Sequence, residues 1–290
     1  MRVLVTGASG FVGRSVVRAL AREGHHAIAA VRRHEADLPA YETVVWDIGR
    51  AKRPVPLPPK VDAIVHAAQS RSYRSFPTDI DELFRVNVAG ACTLLDYAVD
   101  TGVSRFCLLS SGTVYEPYRS ELREEAALAP TSFLGASKLA AEILAGPYQG
   151  KMALSVLRLF FPYGPGQTGR LIPDIIERVR TGRAVELSAD GNGLRIAPTY
   201  VSDMAEIAVA AVAEGWTGTM NVASPHTISL RELAELAGKL LGQRPVFEMT
   251  DREAARIAPA LERLKAHFDM SAFTPIEVGL VRTLAGETGA

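Results

Sequence analysis

Short, almost wholly apolar runs alternate along the first half of the chain with longer stretches in which apolar residues return every three or four positions. Arg2–Val5, Ala27–Val31, Thr43–Trp46, Ala63–His66, Arg105–Leu109 and Ala153–Leu159 are runs of the first kind. Each predicts a strand buried on both faces, as in a parallel sheet. Between them, Phe11–Arg22 sets Val12, Val16, Val17 and Leu20 on one helical face. Asp79–Thr101 reads as a single long helix and Ser132–Leu144 as another. The β-α-β rhythm predicts an α/β fold built on a doubly wound parallel sheet. Right-handed crossovers then line up the carboxyl ends of the strands along one edge, where ligands bind.

After Leu159 the texture changes. Phe160–Gly169 is rich in proline and glycine, and helical patterns recur at Leu171–Arg180, Ser202–Ala213 and Ser229–Leu241 among shorter, less regular elements. We therefore expect a nucleotide-binding domain over residues 1–160 and a smaller C-terminal substrate lobe over 161–290, with segments returning to the sheet. Arg53–Pro59, with four prolines, reads as a stiff surface connection, not a domain linker.

Composition narrows the function classes. The chain has 290 residues, 48% hydrophobic and 22% charged, which excludes a disordered or fibrous protein. Lys+Arg and Asp+Glu both number 32, so there is none of the basic excess of a nucleic-acid binder. Cys92 and Cys107 form no disulfide framework and are expected as buried, reduced thiols of a cytoplasmic protein. No apolar run reaches the roughly 18 residues that a membrane span needs, and the N-terminus does not read as a signal peptide. His25, His26, His34, His226 and His267 are scattered without metal-ligand spacing, so no metal is expected.

Thr6-Gly7-Ala8-Ser9-Gly10-Phe11-Val12-Gly13 follows the first strand directly and opens the first helix. In that setting Gly7 makes the tight turn, Gly10 admits a pyrophosphate to the backbone, and Gly13 lets helix pack on strand. The helix's unpaired N–H groups and positive dipole end face the phosphates. The alternative is a plain glycine turn. At the end of the second strand stand Val31-Arg32-Arg33, where an acidic residue would bond a ribose 2′-hydroxyl. Guanidinium groups suit a 2′-phosphate instead, so Arg32 and Arg33 favour NADP over NAD, against the alternative of two solvated arginines.

Beyond the glycine loop, the chain carries Trp46-Asp47-Ile48, His66-Ala67-Ala68, Asn87-Val88-Ala89-Gly90, Leu109 through Tyr115, Gly135-Ala136-Ser137-Lys138 through Glu142, Tyr163-Gly164-Pro165-Gly166 and Pro198 through Asp203. On these motifs it resembles, over nearly its whole length, the extended short-chain dehydrogenase/reductase family, in its NAD(P)-dependent epimerase/dehydratase branch. The resemblance implies a Rossmann fold. It implies cofactor contacts from Gly7, Ser9, Gly10, Phe11, Val12, Gly13, Asp47 (toward adenine), Ile48, His66, Ala67, Ala68, Asn87 and Lys138. It also implies a homodimer paired through the helices over Asp79–Thr101 and Ser132–Leu144.

The resemblance further implies a Ser/Tyr/Lys active site, with Ser111 in the serine place and Lys138 in the lysine place. The tyrosine place, four residues before the lysine, holds Leu134, which cannot move a proton. Tyr115, Tyr73, His66 and Tyr163 are candidate replacements, each with a structural alternative, and Tyr115 is carried as the catalytic candidate beside Ser111 and Lys138. Two other departures bear on substrate. Phe161 stands where sugar-nucleotide members carry an asparagine, and Gly112-Thr113 where dehydratases carry an Asp-Glu pair, so an elimination step is not expected. Substrate contacts are expected from Ser111, Thr113, Leu134, Tyr73, Phe161, Arg170 and Arg195, with Arg158, Arg170 and Arg195 available to an anionic ligand. The expected function is an NAD(P)-dependent epimerase or reductase acting at a carbonyl or hydroxyl carbon of a sugar-like small molecule. The alternative is a non-catalytic NADP(H)-binding sensor or scaffold.

Overall fold

The computed structural model of the protein describes residues 1–33, 38, 40, 42–50, 58, 60–74, 78–118, 121–253 and 255–286. His34 and most of the proline-rich connection expected over Arg53–Pro59 lie outside the described residues. Two compact units divide the chain: Met1–Arg119, Glu124–Leu159 and Met204–Asn221 make the first, and Ser120–Arg123, Phe160–Asp203 and Val222–Ala290 the second.

The chain runs β1 (Arg2–Thr6), α1 (Phe11–Arg22), β2 (His26–Val31), β3 (Glu42–Val45), β4 (Ala63–His66), α2 (Ile80–Phe84), α3 (Gly90–Thr101), β5 (Arg105–Ser111), α4 (Phe133–Ala145) and β6 (Ala153–Leu159). It continues with β7 (Pro162–Tyr163), α5 (Leu171–Thr181), β8 (Val185–Leu187), β9 (Arg195–Ile196), β10 (Thr199–Tyr200), α6 (Val201–Glu214) and β11 (Gly218–Val222). β12 (Ile228–Ser229), α7 (Leu230–Leu241), β13 (Phe247–Met249), β14 (Arg256–Ile257), α8 (Glu262–Lys265) and α9 (Ile276–Ala285) complete it.

The doubly wound sheet expected from the sequence is present. Its seven strands stand in the order β11-β6-β5-β4-β1-β2-β3, and β1 pairs in parallel with both β2 and β4. The chain winds one way from β1 through β3 and the other way from β4 through β6. The carboxyl ends of β1 and β4 therefore flank the point where strand order reverses, which opens a crevice for a ligand. Leu4, Ile28, Ile64, Phe106 and Leu154 from the strands pack with Leu94, Leu95 and Ala98 of α3 and Ala141 of α4. That burial is why these strands read as unbroken apolar runs.

Two expectations are corrected. The single helix over Asp79–Thr101 is α2, a π turn over Arg85–Ala89, and α3. One extra residue per turn leaves the apolar periodicity nearly unchanged, so the pattern conceals it, yet such turns gather at functional sites. Here the turn buries Asn87. Cys107 is buried as expected, whereas Cys92 is half-buried. The edge strand β11 was not foreseen, because Thr219 and Asn221 interrupt its apolar run.

In the second unit, Ile172, Ile175, Ile176 and Val179 of α5 pack with Leu233, Ala234 and Ala237 of α7. α7 starts on a capping box: the Ser229 hydroxyl accepts from the Glu232 N–H, and the Glu232 carboxylate accepts from the Ser229 N–H. No described helix is long and apolar enough to cross a membrane.

Candidate active site

The loop after β1 is shaped by contacts that tolerate only glycine. Gly7 has φ +64°, and a Cβ there would stand 2.7 Å from the backbone of Ala68. A Cβ on Gly13 would stand 2.1 Å from the Gly7 carbonyl oxygen. The loop is thus clamped between α1 and the Ala67–Ala68 backbone after β4, and the Gly10 N–H closes it by donating to the Gly7 carbonyl at 2.8 Å. Gly10 is also the N-cap of α1, with no side-chain cap and no acidic residue in the first turn. The amino end of α1 therefore keeps its N–H groups and positive dipole end for an anion, which fits a dinucleotide's pyrophosphate. Ser9, Phe11 and Val12 lie in this same loop and first turn.

At the far end of β2, Arg32 and Arg33 are both exposed. After β3, the Asp47 carboxylate accepts from the Gly49 N–H at 3.2 Å and pairs with Arg50 at 3.3 Å, while Ile48 is buried in the core. His66 closes β4 with its Nδ1 2.7 Å from the Thr6 hydroxyl. Burial, and then the charge of Lys138, hold its pKa down at about 3. A neutral imidazole fixed beneath the loop is a packing group and not a proton carrier at neutral pH. Tyr73 lies half-buried in the short turn Ser72–Arg74 that follows.

β5 ends at Ser111, whose hydroxyl accepts from the Thr113 hydroxyl at 3.0 Å and from the Thr113 N–H at 3.2 Å. α4 starts hard against this turn: a Cβ on Gly135 would stand 2.5 Å from the Thr113 carbonyl oxygen. That close approach seats the first turn of α4, which carries half-buried Leu134, against the Thr113 turn. Behind it, the Ser137 hydroxyl donates to the Leu134 carbonyl at 2.9 Å and accepts from the Asn87 amide at 3.0 Å. Asn87 in turn accepts from the Ser70 N–H at 3.0 Å. Asn87 thus links the π turn to both α4 and the chain leaving β4. One turn beyond Leu134, Lys138 is 5% exposed and its Nζ donates to the Leu109 carbonyl at 2.8 Å. Burial lowers its pKa to about 8, with Glu142 acting in the opposite sense.

Under these residues runs a buried polar network that the sequence did not disclose. Glu142 accepts from Arg158 Nη2 at 2.7 Å, from Arg158 Nε at 3.2 Å and from the Ser110 hydroxyl. Arg158 Nη1 donates to the Tyr115 hydroxyl at 2.7 Å, and that hydroxyl donates to Asn221 at 2.9 Å. The Arg158 guanidinium also lies over the Tyr115 ring, 4.9 Å from its centroid. Glu124 accepts from the Asn221 N–H at 2.9 Å. Burial raises the Tyr115 pKa above that of a free phenol. With its oxygen held between Arg158 and Asn221, Tyr115 is placed as a strut. The one available signal was a pair of opposite charges, Glu142 and Arg158, set in otherwise apolar elements.

The remaining expected residues lie in the second unit. Phe161 has φ 42°, a left-handed backbone that a bulky side chain rarely adopts, and packs on the unit's core. Arg170 is the N-cap of α5. Arg195 pairs with Glu232 at 3.2 Å, which offsets the charge expected to be available to an anionic ligand. Tyr163 is buried, its ring packed edge-on to Tyr200 at 5.5 Å, and its hydroxyl fills the space where a Cβ on Gly279 would go. Burial pushes its pKa up, and the Asp203 carboxylate adds to this. Among the described residues no cluster of His, Cys, Asp and Glu forms a metal site.

A parallel sheet with a glycine cradle at its switch point and a Ser-Lys pair on the neighbouring strand and helix defines a dinucleotide-binding α/β protein of the oxidoreductase type. The profile of the NAD dependent epimerase/dehydratase family matches residues 3–223, and the chain belongs to that family. It is 31% identical over 252 residues to the low-salt glycan biosynthesis protein Agl12 of Haloferax volcanii, covering 81% of each chain. It is 29% identical over 282 residues to a UDP-glucose 4-epimerase of Azospirillum brasilense, covering 87% of this chain and 80% of the relative. The solved structure of MoeE5 in complex with UDP-glucuronic acid and NAD superposes with a TM-score of 0.83 at 25% identity, covering 99% of this chain and 98% of that one.

Proposed function

We propose that the protein is an epimerase or reductase of a sugar nucleotide that uses a nicotinamide dinucleotide, with NADP preferred over NAD. The observation that carries this reading is that the carboxyl edge of one sheet bears both the uncapped amino end of α1, after β1, and the Ser111–Thr113 turn with Lys138 of α4, after β5. The N–H groups of the glycine loop would hold the pyrophosphate, Asp47 the adenine end, and Lys138 the nicotinamide ribose. Ser111 or Thr113 would donate a hydrogen bond to the reacting oxygen, and Leu134 and Tyr73 would border the substrate. Phe161, Arg170 and Arg195 remain substrate-binding residues in this reading. A nicotinamide held there would supply hydride transfer. The relatives named for UDP-sugars support the substrate class. Incubation with UDP-glucose, UDP-glucuronic acid and their dTDP counterparts, with products separated by chromatography, is expected to yield the C4 epimer or a cofactor-dependent change. Binding of NADPH without turnover of any of these would favour the second reading, a non-catalytic sensor, which the unreactive side chain at Leu134 supports.

The cofactor preference rests on Arg32 and Arg33. NADPH is expected to bind more tightly than NADH, and Arg32→Asp to reverse the order. A charge-assisted contact to the 2′-phosphate contributes ~1.5–3 kcal/mol, or roughly 10- to 100-fold in affinity. Fluorescence titration with both cofactors checks this, and equal affinities in the unmutated protein would return the assignment to NAD, the cofactor seen with MoeE5.

A homodimer is part of the same reading. Ile80 and Phe84 of α2, Val99 of α3, and Ile143 and Leu144 of α4 are exposed, Phe84 at 54% and Ile143 at 65%. Exposed apolar residues on α4 and on the α2–α3 run suit an isologous contact between two copies of the chain. Light scattering is expected to give twice the chain mass, and Phe84→Glu with Ile143→Glu to halve it. A monomeric unmutated protein would remove this part of the proposal.

A further inference from the structure

We propose that Lys138 itself exchanges the proton with the reacting oxygen of the substrate, across the place where Leu134 leaves α4 without a titratable side chain. This rests on the reading of the chain as an epimerase or reductase and assigns that reaction its missing acid and base.

The geometry argues by what each neighbouring group is already doing. The polar backbone atom of Leu134, its carbonyl, is taken by the Ser137 hydroxyl. His66, facing from β4, is bonded to Thr6 and held neutral. Tyr115, at the end of the turn after β5, is fixed between Arg158 and Asn221. Glu142, one turn further along α4, is held by Arg158 of β6 and by Ser110 of β5, and the π turn packed on α4 presents the uncharged Asn87. Of Lys138, His66, Tyr115 and Glu142, Lys138 is the one that keeps transferable protons. An ammonium has three N–H bonds, and the Leu109 carbonyl takes one of them. Among the described residues no carboxylate stands within ion-pair distance of its Nζ, because Glu142 is spent on Arg158. Burial brings its titration into the working range of an enzyme, at about 8.

In the reducing direction, the carbonyl carbon gains the hydride that a bound dihydronicotinamide loses. The C=O π pair moves onto oxygen, and the oxygen takes a proton as an Nζ–H bond of Lys138 breaks. The carbonyl is reduced, the nicotinamide oxidised, and the neutral amine regains its proton from solvent. Oxidation of an alcohol is the reverse, with neutral Lys138 accepting the proton. Reduction therefore needs charged Lys138 and declines as pH rises through its pKa, while oxidation rises over the same range.

The test has one readout independent of turnover. Lysine labelled at Cε and Nζ is followed by NMR against pH, with Lys138→Met assigning the signal. Lys138 is expected to titrate near pH 8, and Glu142→Gln to lower that midpoint. In single-turnover NADPH oxidation with UDP-4-keto-6-deoxyglucose as probe, the rate is expected to fall tenfold per pH unit above the same midpoint. Lys138→Arg, which keeps the charge and cannot release a proton, is expected to retain NADPH binding and lose at least about 10²-fold in rate. A Lys138 midpoint above 10, or turnover preserved in Lys138→Arg, would each overturn the proposal. Failure of the functional reading shows differently, as cofactor bound by the unmutated protein without turnover of any sugar nucleotide at any pH, and takes the proposal with it.

Discussion

Replacing Arg158 by methionine is expected to destabilise the protein by about 3–5 kcal/mol, the ordinary cost of leaving one member of a buried ion pair without its partner. The side chains of Arg158 and Glu142 are only 5% and 7% exposed. Removal of the guanidinium takes three of the contacts that hold the Glu142 carboxylate, leaving the Ser110 hydroxyl. It also strips the Tyr115 hydroxyl of its charged donor. The double variant Arg158→Met with Glu142→Leu is expected to recover most of the loss, because an apolar pair of similar volume carries no desolvation penalty. Chemical denaturation of the two single variants and the double variant measures the coupling. Additive losses would show that the pair is not a unit.

Leu134→Tyr is expected to raise the rate of single-turnover NADPH oxidation by about 10²-fold, the lower end of what general acid catalysis contributes. The gain is at that end because Lys138 already serves, over a longer path. Gly135 seats the start of α4 on the Thr113 carbonyl, so a phenol introduced at 134 stands on a fixed backbone in the helix turn before Lys138. Its presence is also expected to flatten the decline in rate above pH 8, since the oxygen then receives its proton from the phenol. Rates and pH profiles of the two proteins on the same probe provide the measurement. An unchanged rate would mean that residue 134 does not reach the reacting oxygen.

β1, β2, β4, β5 and β6 were legible because burial on both faces leaves an apolar run that needs no partner to be recognised, whereas β3, an edge strand with Val45 exposed, was legible from its β-branched residues alone. The glycine loop was legible for a related reason: its contacts are local, from Gly7 to Gly13, and only the Ala67–Ala68 side of the clamp comes from elsewhere. What escaped was non-local or aperiodic. Tyr115 reads as a candidate proton carrier until Arg158 and Asn221 are seen on its hydroxyl, one of them 106 residues away. Glu142 shows no task from sequence, since nothing in its sequence neighbours announces an arginine on β6. Arg195 was expected to meet an anionic ligand, and its partner Glu232 comes from the first turn of α7. The π turn escaped because a helix with one added residue keeps its apolar face, and Asn87 gained a structural reason only when Ser70 and Ser137 were found around it.

The route of the chain has a consequence for how the protein is made. The first unit is not finished when its sixth strand leaves the ribosome, because Met204–Asn221 belongs to it and contributes the edge strand β11 beside β6. Until then β6 presents an open row of backbone donors and acceptors, a template for pairing with another chain. Tyr115 and Glu124 meanwhile wait for Asn221. At ordinary elongation speeds of about 5–20 residues per second, the interval is on the order of 3 to 12 seconds. The nascent sheet is therefore held one strand short while much of the second unit is synthesised, and this interval is the stage at which a chaperone would protect it.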